Sequence, residues 1–499
     1  MVKEEKGTTI LKRTMGLKES VTITVGTVIG VGLFTVGANS VGILGPQIFL
    51  ATCIALVVSA YPALLYAEMG SALPFSGGTY NYATEGLGRP AGMLAGWNFI
   101  ISLVAVTSGE ALAFSFYFST LFEALGLAIP LGDKAIAVII IGVFIYTNYK
   151  GIELTARLQN GFMFFFWGVA VVWFLSMIPN IHLDNFRPFV SPEGTGITTF
   201  IGTVALVWWC FAGFETCCAM GEEIKHPQIN IPRAMFLSPF IVFAVNILFQ
   251  WFLLGIVPKE NLAAISVAAA PYAEAMKTAG ILGFPLILLA AGIALGGDFS
   301  TLNASIAAPP RYLFSMARDG VVPEIFCRLH PKYKTPYISV ILLGALSIVF
   351  ILSGSLMYIS SLSLFADLFY YIIGIAAAVA LRKNRADLNR PYRAPAIKAG
   401  ALISIVVYFI MMTQLQKDAV IFGIIWNILG LVIYKIYAKP QSPEEIQLKR
   451  KEQAIAISGI PLPTPEEKKH LDREFNIWKT VVATVCILAS LLYVVPYIF

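Results

Sequence analysis

Gly26-Thr27-Val28-Ile29-Gly30-Val31-Gly32-Leu33-Phe34 lies in the middle of the first long apolar run of the chain, with three glycines inside a window of seven residues. Inside a helix each glycine costs about 1 kcal/mol relative to alanine. A residue without a Cβ also lets the backbone unwind and approach a ligand. The same spacing serves close helix packing, where membranes favour small residues. Which reading holds depends on what surrounds the run. Of the 499 residues, 57% are hydrophobic and 13% charged, and the mean hydropathy is +0.76. A soluble domain carries about a quarter charged residues to cover its surface, so lipid must solvate much of this exterior.

Twelve long apolar segments, a polar linker and one further segment follow, centred near residues 29, 56, 107, 142, 169, 208, 246, 293, 345, 370, 406, 427 and 488. Each approaches the roughly 20 residues a helix needs to cross a bilayer core. Helices are expected because lipid offers backbone polar groups no partner. The alternating pattern of a membrane β-barrel is absent. With the N-terminus in the cytoplasm, 30 of the 35 Lys and Arg fall inside, and five (Lys134, Arg187, Lys259, Lys277, Lys417) fall outside. That asymmetry sets the orientation. The excess charge of +6 is therefore a topology signal and does not call for nucleic acid. No cleavable leader is expected, since Met1 to Leu17 is polar and basic. The six cysteines lack metal-site spacing and fall mostly in apolar runs as small hydrophobes. His182, His226, His330 and His470 all map to loops, so no histidine relay and no metal site is expected in the membrane.

The sixth segment separates the two readings of the glycines. Trp208-Trp209-Cys210-Phe211-Ala212-Gly213-Phe214-Glu215 places a glycine and an acid at corresponding depth, five segments on. Paired interruptions in matching halves point to an inverted-repeat transporter with a midplane site. Freed N–H groups at a half-helix start suit a carboxylate, and freed carbonyls suit an ammonium. An α-amino acid carries both.

Further motifs follow in order. They are Tyr66-Ala67-Glu68-Met69-Gly70 to Pro74-Phe75-Ser76-Gly77-Gly78-Thr79-Tyr80; Glu222-Glu223-Ile224-Lys225-His226-Pro227 with Ile231-Pro232-Arg233-Ala234; Arg311 with Ala317-Arg318-Asp319-Gly320 and Pro323; and Arg393-Ala394-Pro395. Together with segments 1 and 6 they resemble the amino acid–polyamine–organocation superfamily across segments 1 to 12. The resemblance implies an all-α five-plus-five inverted-repeat fold with alternating access. Substrate would lie between the unwound parts of segments 1 and 6, flanked by segments 3, 8 and 10. Thr27, Gly30, Val31, Gly32, Phe211, Ala212 and Gly213 would form the backbone part of that site. Trp209 falls where the family has a gating aromatic; the other reading is an ordinary core or lipid-facing Trp. One departure stands out. Many exchangers of the family carry a lysine about seven residues beyond the Gln of segment 5, and here Gln159 leads to Phe166. Without that fixed charge, H+ or Na+ is expected to do its work.

Glu110, Glu215, Asp298 and Asp367 are predicted within bilayer depth. A charge at the helix centre costs about 2.5–3.5 kcal/mol on insertion scales, so such residues are functional candidates; the bland reading is a protonated packing residue. Asp298 and Thr301, at i and i+3 on one face, make a coupling pair, either as oxygen ligands of sodium or with Asp298 carrying a proton. Glu215 is the next coupling candidate, and Asp367 joins Trp209 at the gate. Glu110 and Thr107 are expected to line the pocket on segment 3. There a carboxylate in a low dielectric would attract a substrate cation such as a lysine side chain, or else hydrogen-bond a neutral one.

The expected organisation is a twelve-helix core over 1–437, a cytoplasmic linker over 438–475 and an extra helix over 476–499 that serves packing or oligomer formation. The chain reads as a multi-pass plasma-membrane permease of amino acids or related amines, without a cofactor. A nucleotide-binding G-x-x-x-x-G-K-[ST] loop is absent, which excludes the usual ATP-driven design. Two alternatives remain. One is a nutrient sensor on a transporter scaffold; the other is a membrane enzyme, which would need a clustered Ser/His/Asp or metal constellation at membrane depth.

Overall fold

The architecture was obtained as a computed structural model that describes residues 13–190, 196–353, 356–438 and 440–498. Helices make up the molecule, and among the described residues extended pairing is limited to two isolated bridges. The first segment is split into α1 (Leu17–Val28), a π-helical turn (Gly32–Gly37) and α2 (Ala38–Leu44). After Gly45, at φ +54°, the chain turns into α3 (Ile48–Ala72). Next come α4 (Gly78–Leu87), α5 (Arg89–Ala124), α6 (Asp133–Lys150) and α7 (Ile152–Met177). The sixth segment divides into α8 (Ile197–Trp209) and the single turn α9 (Thr216–Ala219), followed by α10 (Pro227–Ile256). Short α11 (Leu262–Ile265) and α12 (Pro271–Thr278) lead to α13 (Phe284–Gly292), a second π-helical turn (Ile293–Asp298), α14 (Phe299–Ala307) and α15 (Pro309–Arg318). Then follow α16 (Tyr337–Ser353), α17 (Leu356–Asn384), α18 (Ile397–Met412) and α19 (Lys417–Tyr437). The chain ends in α20 (Pro443–Ser458), α21 (Pro465–Leu492) and α22 (Val495–Ile498).

Eight helical runs among the described residues are long and apolar enough to cross a membrane. Three further apolar helices, Ile197–Trp209, Tyr337–Leu352 and Ile397–Met412, are shorter. The first of these is short because the chain leaves helical geometry after Trp209. The long helices divide by burial. The apolar windows of α5 and α10 are 94% and 89% buried, those of α19 and α21 only 17% and 22%. The first pair are therefore posts of the core, with α5 along α17 and α10 along α3. The second pair present Ile421, Ile425, Ile428, Ile477 and Ile487 outward, a belt that water would not tolerate and lipid does. The protein is a multi-pass helical membrane protein.

The motifs quoted from separate loops converge on one face. Glu68 receives two hydrogen bonds from Arg382, at 2.8 and 2.6 Å, and one from the Ala394 amide at 2.8 Å. Arg311 pairs with Glu223 at 3.1 Å, both nearly buried. Such pairs need several hydrogen bonds to offset desolvation, and Glu68 has them. Gly77, at φ +100°, lets the 76–78 turn tuck under α15, where the Ser315 hydroxyl donates to the Ser76 carbonyl at 2.7 Å.

The stretch expected as a linker holds a helix. Ser442 and Glu445 form a capping box at the start of α20, as do Thr464 and Glu467 at α21. α21 thus begins at Pro465, eleven residues before the expected 476, and its apolar part packs along α10.

Candidate functional site

Helix α1 stops at Val28, and helical geometry is lost at Ile29 and Gly30. Side chains occupy the backbone groups this frees. The Val31 amide donates to Glu110 Oε1 at 2.7 Å. The Thr301 hydroxyl lies 2.8 Å from both the Gly26 and the Ile29 carbonyl oxygens, so its one proton is shared between them. The glycines explain themselves here. A Cβ at Gly30 would come within 3.0 Å of the Glu110 carboxylate and of Thr301 Oγ1. At Gly26 it would run into the Gln159 amide and the Ser300 hydroxyl. At Gly32 the first contact would be Cys210 Cα at 3.5 Å, an ordinary distance. Of the two readings of the glycine run, packing accounts for Gly26, and the break itself for Gly30.

The second break runs from Cys210 to Glu215 and turns through Gly213 at φ +98°, a conformation natural to glycine. The Gly213 amide donates to the Tyr371 hydroxyl at 2.9 Å. The Cys210 thiol donates to the Gly32 carbonyl at 2.9 Å, so the two breaks touch. Glu215 is buried and accepts from both the Tyr370 and the Tyr371 hydroxyl. Tyr371 therefore clamps α17 to the second break, as acceptor at Gly213 and donor at Glu215.

A residual cavity of about 20 Å³ lies between the breaks, lined in part by Thr27, Val31, Gly32, Glu110, Trp209 and Asp367. That is room for about one water molecule, so this is a closed arrangement around the site. Ala212 and Gly213 also line it. Gly30, Thr107 and Phe211 do not line it. Gly30 backs onto Glu110 and Thr301. The Thr107 hydroxyl bonds to Leu103 O at 2.7 Å and to Ser305 at 2.9 Å, facing α14. Phe211 is buried with its amide on the Trp208 carbonyl.

Trp209 and Asp367 are brought together over the cavity. The indole N–H donates to Asp367 Oδ2 at 3.1 Å and to Ser363 at 3.2 Å, and Ser102 donates to Asp367 Oδ1 at 2.5 Å. Trp208 instead packs against Tyr371 and Tyr408, so the two neighbouring tryptophans differ in environment as well as in position.

Asp298, at the end of the second π-helical turn, reaches Glu110 from across the break. Neither Asp298 oxygen, nor Glu110 Oε2, meets a hydrogen-bond donor on a neighbouring group. Two carboxylates repel; a bond between them exists only when one holds a proton. Thr301 is drawn to the α1 carbonyls, not to Asp298. At the position of the family's lysine, the Phe166 ring stacks edge-on with Phe34 at 5.5 Å and lies parallel to Phe249 at 5.8 Å, filling the place with aromatic surface.

Sequence reasoning missed Ser102, Cys210, Ser363, Tyr370 and Tyr371. Of these, Ser363, Tyr370 and Tyr371 carried a visible signal. They stand at i−4, i+3 and i+4 from Asp367, hence on its helix face.

The profile of a family described as amino acid permease matches residues 15–434. A branched-chain amino acid permease of Bacillus subtilis is 25% identical over 459 residues, covering 89% of this chain and 96% of its own. A methylthioribose transporter of the same bacterium is 27% identical over 450 residues, 87% of this chain and 95% of its own. A human cystine/glutamate transporter is 27% identical over 444 residues, 86% and 85%.

Proposed function

Because the chain belongs to the amino acid permease family, within the amino acid–polyamine–organocation superfamily, we propose that it is a secondary active transporter of amino acids or related amines working by alternating access. The observation that carries this reading is the meeting of two helix breaks at one closed cavity, joined through Cys210 and Gly32. The proposal includes a five-plus-five inverted repeat, twelve core crossings with α21 as a thirteenth, and a cytoplasmic N-terminus in the plasma membrane. Substrate would displace the side chains that now hold the breaks, with its carboxylate at the Val31 amide and its ammonium at the carbonyls of the breaks. Trp209 and Asp367 would close over it.

The cavity favours particular charges. Glu110 and Asp367 line it, and the lining includes no Lys or Arg. In a low-dielectric site a further carboxylate on the ligand is repelled and a further ammonium attracted. We therefore place zwitterionic and cationic amino acids ahead of acidic ones. The curated relatives act on branched-chain amino acids, methylthioribose or cystine and glutamate, and the two acids argue against glutamate here. Asp367→Asn should raise the KM for lysine or ornithine about tenfold more than that for leucine, the loss of one charge-assisted hydrogen bond. Competition kinetics in cells measures it, and equal shifts for both substrates would remove Asp367 from substrate recognition.

For coupling we propose a proton held between Glu110 and Asp298. Sodium is the second reading, favoured by the oxygens gathered at Thr301, with the Gly26 and Ile29 carbonyls at 2.8 Å and the Gly297 carbonyl at 3.4 Å. A thermal-stabilisation screen of amino acids and amines on the purified protein, followed by flux of the stabilising compound in proteoliposomes, tests the function. Accumulation against a gradient is expected. Stabilisation without flux would make the protein a sensor, and absence of both would overturn the reading.

A further inference from the structure

Helix α20 lies beyond the residues shared with the family, which end at 434, and it roofs a large cavity. The space is about 920 Å³, formed by the α4–α5 turn, the ends of α17 and α19, and α20. Three cations, Arg89, Lys449 and Arg450, line it, with one carboxylate, Glu85. The rest of the lining mixes the neutral polar groups of Thr84, Asn384 and Gln441 with an apolar part that includes Leu87, Tyr434 and Ile446; Leu87 and Ile446 are 44% and 40% exposed.

Arg89 donates to the Asp319 carbonyl at 2.7 Å, and the pairing of the other charges leaves Arg450 the least engaged. Glu85 is bound by Arg385 at 2.5 Å and by Gln453 at 3.1 Å. Lys449 is held by Asp319 at 2.8 Å, a carboxylate that also receives the Tyr80 hydroxyl. Arg450 has Glu85 at 3.9 Å and the charge of Asp387 nearby, and its Nε meets no hydrogen-bond partner. A guanidinium presents a fork of donors suited to phosphate. Here it stands where α17 and α19 end, so the cavity is at the boundary of the apolar layer, on the side that carries most of the Lys and Arg.

We propose that this cavity holds the phosphate headgroup of an anionic phospholipid, with Arg450 as its principal contact and the acyl chains leaving along Tyr434. Basic pockets between helices on this face suit such headgroups. The apolar half of the lining argues for an amphiphile over a soluble anion, because a free phosphate would leave that half wet. The occupied site would join α20 to the helix ends beneath it.

The test uses the purified full-length protein, delipidated in neutral detergent and titrated separately with phosphatidylglycerol, phosphatidylcholine and inorganic phosphate. Bound lipid is counted by native mass spectrometry and Tm is followed in parallel. Phosphatidylglycerol is expected to be retained and to raise Tm, while phosphatidylcholine and inorganic phosphate do neither. Arg450→Gln should lower phosphatidylglycerol retention about fivefold or more, the order expected for one lost charged contact, and Arg450→Lys should keep at least half of it. Equal retention of both lipids would overturn the proposal, as would unchanged retention in Arg450→Gln. Displacement of the lipid by an equal concentration of inorganic phosphate would assign the site to a soluble anion instead. If Arg450→Gln does not fold, the wild-type discrimination between the two lipids decides.

Discussion

Gly30→Val is expected to lower uptake by about a hundredfold or more, while the protein still reaches the membrane and purifies as a single species. The cause is local. A Cβ at this position would meet the Glu110 carboxylate and Thr301 Oγ1 within 3.0 Å, and both groups are held by bonds to the same break. Overpacking of a fixed site costs about 1–3 kcal/mol or more, and about 2.7 kcal/mol is a hundredfold in rate. Gly32→Ala is the internal control. Its new methyl group would sit 3.5 Å from Cys210 Cα, so uptake should stay within about threefold, a cost below about 0.7 kcal/mol. The sequence alone treats these two glycines alike; the structure separates them. Near-normal transport by Gly30→Val would sink the midplane site.

The second large effect concerns Asp298. Asp298→Asn is expected to abolish accumulation driven by an imposed pH gradient while leaving downhill exchange measurable. The groups nearest the pair are the Val31 amide on the first break, Tyr117 on α5 and Thr301 on α14. Among the described residues no ion pair reaches either carboxyl. On the proposed coupling, a proton between the two acids is the charge that comes and goes. Glu110→Gln should produce the same loss, and the double variant should be no worse than either single one, since both remove one shared proton. Uptake measured under separate pH and sodium gradients decides between the two ions. Unchanged dependence on both in Asp298→Asn would remove the pair from coupling and pass the role to Glu215.

How far could the residues be read without the structure? The interruptions at Gly30 and Gly213 were legible, because a glycine in an apolar helix is conspicuous at single-residue level. The buried acids were legible for the same reason. What Glu110, Asp298 and Glu215 touch was not, since Glu110 and Asp298 lie on different helices and no local pattern records which side chains meet across a bundle. Thr107 shows the limit of helix-face arguments. It shares a face with Glu110, yet its hydroxyl turns back to Leu103 and on to Ser305. The extra helix α20 was hidden by its polarity, although Ser442 and Glu445 carried its starting signal. Tyr371 could have been marked by its place one turn from Asp367, whereas its bond to Gly213 depends on the geometry of the break.

The occupied breaks have a kinetic meaning. The backbone groups that the proposed substrate would seek at Val31, Gly26, Ile29 and Gly32 are already engaged by Glu110, Thr301 or Cys210, with one Thr301 proton divided between two carbonyls. On the proposed reading, arrival of a ligand exchanges one hydrogen bond for another, so its net gain is smaller than that of a bond made to a bare group. On the proposed site, the same exchange limits how much the common polar ends of a ligand add to its affinity. In the proposed cycle the same exchange assists release, because the protein's own side chains return as the ligand leaves. Discrimination then falls to whatever the ligand carries beyond its common ammonium and carboxylate.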